Sequence, residues 1–324
     1  MSLLFVIHTS TPRTTMPTRR RRIPAVLLLS VSAAVGTCSI YLPDATAFAA
    51  DPTLPRHNER KLSVDMSKYP LRELVINALA KGRDTAPVDV RDLETLHLFE
   101  VEDFLAPASI RGNANSRSPQ RRVELLRRAL DAKWKSSQER KVWETEYLPQ
   151  IVRDVVGSDE RFAGETKLFY QRAPMLRFHV AWPLLADDDD AMLEYDGEIP
   201  PRNGRNSGTL AGVHTDADYH HPPAEVNFFL PVTQTYGTNS LYVEGAPDRG
   251  DFAPFELVYG EMMLWCGNDH RHCSPRNISN HTRVSFDFRV IPGSVWDEDG
   301  PHRNPDSSFK VGSYYLDALS DSNH

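Results

Sequence analysis

Two polar residues in the C-terminal half of the chain have the types and spacing of metal ligands. His214 and Asp216 lie two positions apart in the segment GVHTDADYHHPP. If TLAGVHTD ends a strand, both side chains project to the same side, close enough to bind one metal ion. An imidazole and a carboxylate supply two of the three ligands of the facial triad that leaves positions open on iron(II) for oxygen chemistry. Because His-x-Asp is common by chance, a third ligand is required downstream.

A second polar cluster follows the apolar segment EMMLW and offers His270 and His272 as that third ligand. The spacing alone leaves both histidines open. Arg283 follows eleven residues after His272, with Ser285 on the same side of the next strand. A guanidinium can clamp a carboxylate through two parallel hydrogen bonds, and a hydroxyl two residues on can add a third. The pattern indicates a carboxylate-binding site beside the metal site.

Short strands must position these residues. From about residue 166, segments rich in aromatic and β-branched residues alternate with Gly, Pro, Asn and Asp, which predicts a β-sandwich or barrel. In TRVSFDFRVI, the apolar residues Val284, Phe286, Phe288 and Val290 fall on one face, and Arg283, Ser285, Asp287 and Arg289 on the other. Polar faces of this kind are exposed to solvent in many antiparallel sheets, or they line the mouth of a barrel that holds a small polar ligand.

Two more segments show the same alternation. In MLRFHVAW, Arg177 and His179 share the polar face, and in EVNFFLPV, Asn227 lies opposite Val226 and Phe228. His220 and His221 precede two prolines and are expected to shape a loop over the site. Cys266 and Cys273 could pair in an oxidising compartment, although one pair is no disulfide framework. The sequons at Asn277 and Asn280 are accessible-looking loop positions.

The remaining segments divide the chain into parts. Residues 51–160 are charged and helical in pattern, and we expect them to pack on the outside of a catalytic core at 161–295, with 296–324 as a C-terminal tail. The acidic tract at 186–208 is read as a surface loop or a mobile lid. Residues 1–50 combine a basic cluster, an apolar run and small residues at A-x-A spacing, which predicts a signal segment, cleaved or kept as an anchor.

The signal segment at residues 1–50 affects the expected location of the protein and the charge of the remaining chain. An N-terminal signal implies the secretory pathway, ending in the lumen or extracellular space, and the ATAFAA end also resembles the junction of bipartite plastid presequences of algae with complex plastids. Membrane attachment is expected only if the apolar run is an uncleaved anchor. The chain carries a net charge of −7. Since the leader holds five Arg and one Asp, the remainder is near −11, which argues against a nucleic-acid partner.

The order of H-x-D, a distal His and R-x-S resembles the iron(II)/2-oxoglutarate-dependent dioxygenases. The block from HTDADYHHPP to TRVSFDFRV is similar to the phytanoyl-CoA-hydroxylase-like branch, and within it to streptomycin-biosynthesis-type oxygenases; the resemblance covers residues 171–291. It implies a double-stranded β-helix, a jelly-roll or cupin-like barrel, with flanking N-terminal α-helices. It also implies iron(II) held by His214, Asp216 and His272, the last because RH aligns with the family's R-H-G-N.

The resemblance further implies that Arg283 anchors 2-oxoglutarate, with Ser285 and Asn227 as supporting polar groups. Arg177 and His179 stand where the family has an R-x-H strand that contacts substrate or co-substrate. Cys273 replaces the family's usual Gly and places a thiol near the iron. The implied reaction consumes 2-oxoglutarate and O2, releases succinate and CO2, and oxidises, by default hydroxylates, a C–H bond.

The substrate is less defined than the reaction. The streptomycin-type resemblance points to a small polar molecule, sugar- or cyclitol-like. Two alternatives stay open: a cupin-type metalloenzyme that does not use 2-oxoglutarate, and a β-helix binding module that has lost catalysis. Four inward polar groups, His214, Asp216, His272 and Arg283, are costly to bury and argue against the second alternative.

Overall fold

The computed structural model describes residues 59–81, 87–104, 119–182, 199, 209–296 and 309–320. All of them fall within one unit, Ala45–His324. The expected signal segment at 1–50, nearly all of the acidic tract at 186–208 and part of the C-terminal tail lie outside the described residues. No helix of the described part is both long enough and apolar enough to cross a membrane.

Strands dominate the second half of the described chain. In chain order they are β1 (Arg60–Ser63), β2 (Leu168–Gln171), β3 (Met175–His179), β4 (Thr209–His214), β5 (Val226–Pro231), β6 (Tyr242–Glu244), β7 (Phe252–Pro254), β8 (Glu261–Trp265), β9 (His272–Arg276), β10 (Arg283–Pro292) and β11 (Tyr315–Asp317). The helices are α1 (Leu71–Ala80), α2 (Val101–Phe104), α3 (Pro119–Ser136), α4 (Gln138–Val142) and α5 (Leu148–Ile151). Turns of π-helix at Trp143–Tyr147 and Val152–Val156 follow α4 and α5.

The strands form two antiparallel sheets. The larger sheet has the order β1-β8-β5-β10-β2-β11, and β3 pairs with β10 beside β2. The smaller sheet has the order β4-β9-β6-β7. Within the described ranges no strand pair joins the two sheets, so the predicted closed barrel does not form. The fold is mainly β, and among the described strands β3 and β4 each pair with a single neighbour.

The alternation in β10 has the two faces that the sequence predicts. Its apolar residues Val284, Phe286, Phe288 and Val290 are buried in the main hydrophobic core. The ring of Phe286 stacks on Trp143 at 4.0 Å between centroids and meets Trp134 edge-on at 5.6 Å. The helical segment therefore covers the apolar face of the larger sheet. The polar face of β10 turns toward the smaller sheet, where the pocket described below is lined by residues of both.

The chain segments at both ends of the expected core extend the larger sheet. β1 lies in the segment predicted to be helical and pairs along its length with β8. β11 lies in the predicted C-terminal tail and pairs with β2. These strands have four and three residues, too few for a period-two pattern to stand out from chance.

Candidate metal centre

The end of β4 and the start of β9 bring two histidines together. His214 and His272 are register partners across these strands, and Asp216 begins the short helical turn that follows β4. A capping box between Thr215 and Asp218 fixes that turn. Ligand atoms of His214, Asp216 and His272 all lie within 4.8 Å of one another. In the part of the chain that the structure describes, this is the group of three such residues that could hold a metal ion.

Both histidines present the same ring nitrogen to the centre. Nδ1 of His214 lies 2.7 Å from the carbonyl of Gly212, and Nδ1 of His272 lies 3.1 Å from that of His270. A carbonyl only accepts, so in the neutral ring Nδ1 carries the proton and Nε2 keeps a free lone pair. Burial lowers the pKa of His214, and it lowers the pKa of His272 to about 4. Both rings are therefore neutral near pH 7, the form that binds metals.

Asp216 is a buried carboxylate held in its ionised form. Burial raises its pKa, but Arg289, His272 and Asn227 together bring the pKa well below the usual range. Arg289 donates from Nη2 to Oδ1 at 2.8 Å and from Nε to Oδ2 at 3.2 Å. The amide of Asn227 donates to Oδ2 at 2.6 Å. The centre thus combines two neutral imidazoles with one carboxylate, the donor set of a facial triad.

Gly267 forms the wall behind Asp216 and Asn227. Its amide donates to Oδ1 of Asn227 at 2.8 Å, and its carbonyl accepts from the amide of Asp216 at 2.8 Å. A Cβ at this position would approach Oδ2 of Asp216 to 2.5 Å and Nδ2 of Asn227 to 2.8 Å. Only glycine leaves room for the two side chains in their observed positions.

The structure places His272, and not His270, in this group. The ring of His270 is buried with Nδ1 3.1 Å from the carbonyl of Cys266. His221 lies beside Glu225, with Nδ1 2.8 Å from Oε2, and His220 takes a left-handed conformation in an exposed turn. Neither belongs to the metal-binding group, in keeping with their expected role in shaping the loop.

Arg283 is a buried cation with unused donors. Its side chain is 1% exposed, and Nη2 donates to Oγ of Ser274 at 3.2 Å. The guanidinium lies over the ring of Phe229 at 5.2 Å, while Nε and Nη1 have no hydrogen-bond partner. Burial lowers its pKa to about 10, so it stays charged at neutral pH. The unpaired N–H groups of this buried guanidinium are charged donors for the oxygens of an anionic ligand.

One pocket joins these groups. Its polar lining comprises His214, Asp216, Asn227, His272, Ser274, Arg283 and Arg289. Apolar walls come from Phe229, Leu241 and Trp265. Met175, which is 45% exposed, and Arg177 also line it. Both belong to the edge strand β3, so the pocket opens at that edge.

Of three further predicted contacts, Ser285 and His179 lie away from the pocket and Arg177 lines it. Ser285 does not line the pocket, and its Oγ donates to Asp287 at 3.4 Å, so Ser274 is the serine that contacts Arg283. His179 is fully buried, and its two ring nitrogens face the carbonyls of Asn239 at 3.1 Å and Pro275 at 2.8 Å. His179 does not line the pocket, so the described residues give no support to its predicted contact with substrate or co-substrate. Arg177 does line the pocket and pairs with Asp287 at 3.1 Å.

Further expectations about cysteines and sequons need correction. Cys273 packs with Val213 and Phe252, because neighbouring strand residues face opposite sides, so its thiol points away from the metal centre. Cys273 and Cys266 are both free, and no disulfide joins them. Asn277 is 1% exposed and donates its amide to two carbonyls at 2.8 Å. It is a structural corner and is not accessible for glycosylation.

Sequence reasoning gave no role to Arg289, Ser274 and Gly267. Arg289 was visible on the polar face of β10, but its contact with Asp216 crosses from one sheet to the loop after β4. Ser274 faces the same space as His272, two residues earlier in β9. That spacing is the signal that could have identified it.

No protein-family model matches the chain. It is similar to the streptomycin biosynthesis protein StrG of Streptomyces griseus, 33% identical over 135 residues, which is 41% of this chain. The match spans 63% of that protein's length, less than two thirds.

Similar solved structures are those of non-heme enzymes. The nickel complex and the apo form of the non-heme monooxygenase ThoJ each align with a TM-score of 0.32 at 14% identity, over 63% of this chain and 73% of theirs. The non-heme alpha-ketoglutarate-dependent epimerase SnoN from nogalamycin biosynthesis aligns with a TM-score of 0.31 at 14% identity, over 50% of this chain and 59% of its own.

Proposed function

We propose that this protein is an iron(II)- and 2-oxoglutarate-dependent dioxygenase with a double-stranded β-helix core. The observation that carries the proposal is the pocket that joins the His214, Asp216 and His272 group to the buried, partly unpaired Arg283. From β3 to β10 the chain passes back and forth between the two sheets. This alternation supports a jelly-roll path, even though the sheets do not close into a barrel.

The residues of the chain fit the two groups that the reaction needs. Nε2 of His214 and His272 and the carboxylate of Asp216 would hold the iron, and the free N–H groups of Arg283 would hold the distal carboxylate of 2-oxoglutarate. When bound, iron(II) and 2-oxoglutarate supply the oxidation of a C–H bond by O2, with succinate and CO2 as co-products. The ring of Phe229, 5.2 Å from the guanidinium, forms an apolar wall beside it.

The energetics of Arg283 favour a 2-oxoglutarate site over a cupin-type reaction. A buried donor without an acceptor costs about 1–3 kcal/mol, and more on a charged group. A metal-only enzyme gains nothing from such a cost. A ligand carboxylate that accepts from the unpaired donors of this guanidinium reduces that cost and gains charge-assisted hydrogen bonds. The same argument speaks against a binding module without chemistry, since the metal-binding group is also complete.

For the substrate, we propose a small polar metabolite, sugar- or cyclitol-like, with hydroxylation as the default outcome. The similarity to the streptomycin biosynthesis protein StrG supports this class. At the pocket edge, Arg177 and Asp287 form an ion pair, each about one third exposed at 33% and 32%. Such a pair offers donors and acceptors to hydroxyl groups. The acidic body of the chain gives no support for a nucleic-acid partner.

The proposal is tested by succinate formation from 2-oxoglutarate with iron(II) and O2 across a panel of sugars, cyclitols and aminocyclitols. We expect one member to stimulate succinate release at least about tenfold over the uncoupled rate, since binding orients the reacting carbon. Arg283→Ala should abolish 2-oxoglutarate dependence, while the exposed Arg249→Ala should not. Substrate oxidation that persists without 2-oxoglutarate would favour the cupin alternative.

A further inference from the structure

A fully buried carboxylate lies behind the metal centre, and the proposed reaction does not use it. The side chain of Glu225, just before β5, is 0% exposed. Its Oε1 accepts from the hydroxyl of Tyr315 in β11. Its Oε2 lies 3.2 Å from Nε of Arg289 and 2.8 Å from Nδ1 of His221. A charge buried this deeply persists only with charged or hydrogen-bonding partners.

Arg289 lies between this carboxylate and the metal ligand. One side of its guanidinium bonds both oxygens of Asp216, at 2.8 and 3.2 Å, while Nε also faces Glu225. One positive charge is thus shared by two carboxylates. Without Glu225, Arg289 would cancel the charge of Asp216 alone, and a cation would meet a more weakly negative centre.

Arg289 is not the sole support of Asp216. Asn227 donates to Oδ2 at 2.6 Å, and the backbone amide of Asp216 donates to Gly267 at 2.8 Å, which holds the backbone that carries the side chain. Both contacts remain when Arg289 is replaced. Besides its hydrogen bonds, Arg289 adds a positive charge, and Glu225 offsets that charge.

We infer that Glu225 is a positioning residue that acts through Arg289 to set the affinity of the centre for a divalent cation. The inference rests on the metal centre of the proposed function. It ties β11, through Tyr315, to that centre. Its signature is electrostatic: removal of the Glu225 charge and removal of the Arg289 charge must change metal affinity in opposite directions.

The test is Mn²⁺ binding to the metal-free protein without 2-oxoglutarate, measured from the EPR signal of free Mn²⁺. Glu225→Gln keeps the shape and the acceptor for Tyr315, and should weaken binding about tenfold or more because Arg289 then opposes the cation. Arg289→Gln should tighten binding by about tenfold. The double variant, with the net charge of the parent, should bind within about threefold of it.

Matched controls separate charge from folding. Glu139 in α4 is a buried acid that pairs with Lys81 and lies outside the metal centre. Glu139→Gln should therefore leave Mn²⁺ affinity unchanged. Thermal unfolding followed by circular dichroism identifies variants that do not fold. If Glu225→Gln does not fold, the Mn²⁺ affinity of Arg289→Gln is compared with that of the parent protein. Weaker binding by Arg289→Gln overturns the inference.

Two results overturn the inference alone: a folded Glu225→Gln protein whose affinity lies within about twofold of the parent, or equal weakening by both single variants, as a merely structural role predicts. A parent protein that shows no Mn²⁺ binding dependent on His214 overturns the proposed metal centre as well. The two failures are therefore distinguishable.

Discussion

At the scale of single residues, Arg283 combines a functional gain with a cost in stability. Its Nε and Nη1 are buried without partners when no ligand is bound. Protein sites that bind charged ligands often carry such unfavourable groups, because the ligand completes them. Arg283 should therefore destabilise the ligand-free protein and stabilise the ligand-bound one.

Arg283→Met tests this balance, since Met has a similar length without charge or donors. We expect the free energy of unfolding of the ligand-free protein to rise by about 1–3 kcal/mol, the penalty for buried unpaired donors. The added stability that 2-oxoglutarate confers in the presence of Mn²⁺ should disappear. Urea denaturation with and without both ligands measures the two effects, with the exposed Arg249→Met as control. A loss of ligand-free stability would contradict the account.

Residue spacing in the sequence predicted some residues of the site and not others. His214 and Asp216 were paired from their spacing on a predicted strand, but β4 ends at His214 and the helical turn after it places Asp216. Arg283 follows from the alternation along β10. The two-residue spacing from His272 points to Ser274, but its contact with the guanidinium depends on how the two sheets face each other. The role of Arg289 could not be predicted, because its partner Asp216 belongs to another element.

At the scale of elements, β10 separates stability from binding by its two faces. Phe286 and its apolar neighbours pack on the helices, while Arg283 and Arg289 line the pocket. The period of two made these faces predictable from sequence. Which face met solvent was not predictable, because that depends on the second sheet.

Phe286→Ala tests the apolar face. The ring stacks on Trp143 and is 0% exposed, so its removal leaves a cavity that should lower the free energy of unfolding by about 3–5 kcal/mol. Mn²⁺ affinity of the folded protein should stay within about twofold of the parent. Urea denaturation and Mn²⁺ binding give the two values. Leu98→Ala, at a site 67% exposed, should cost less than about 0.5 kcal/mol, and a similar cost for Phe286→Ala would contradict the packing argument.

At the scale of the whole molecule, one hydrophobic core joins the helices to the larger sheet, and the pocket lies on the other side of that sheet. The sequence predicted a β core with separate helices, but β1 and β11 were invisible in it because each is short and gains its order from a neighbouring strand. The polar pocket between the two sheets is lined both by the metal-binding group and by the buried cation Arg283.

We expect this pocket to bind iron(II) and 2-oxoglutarate together, and an anaerobic titration of both into protein lacking residues 1–50 checks this. A weak visible charge-transfer band should appear in the parent protein and be absent in His214→Ala and Asp216→Ala. In Arg283→Met the band should require at least about tenfold more 2-oxoglutarate, the loss of a bidentate charged contact. No band in the parent protein, or an equal band in His214→Ala, would contradict this expectation.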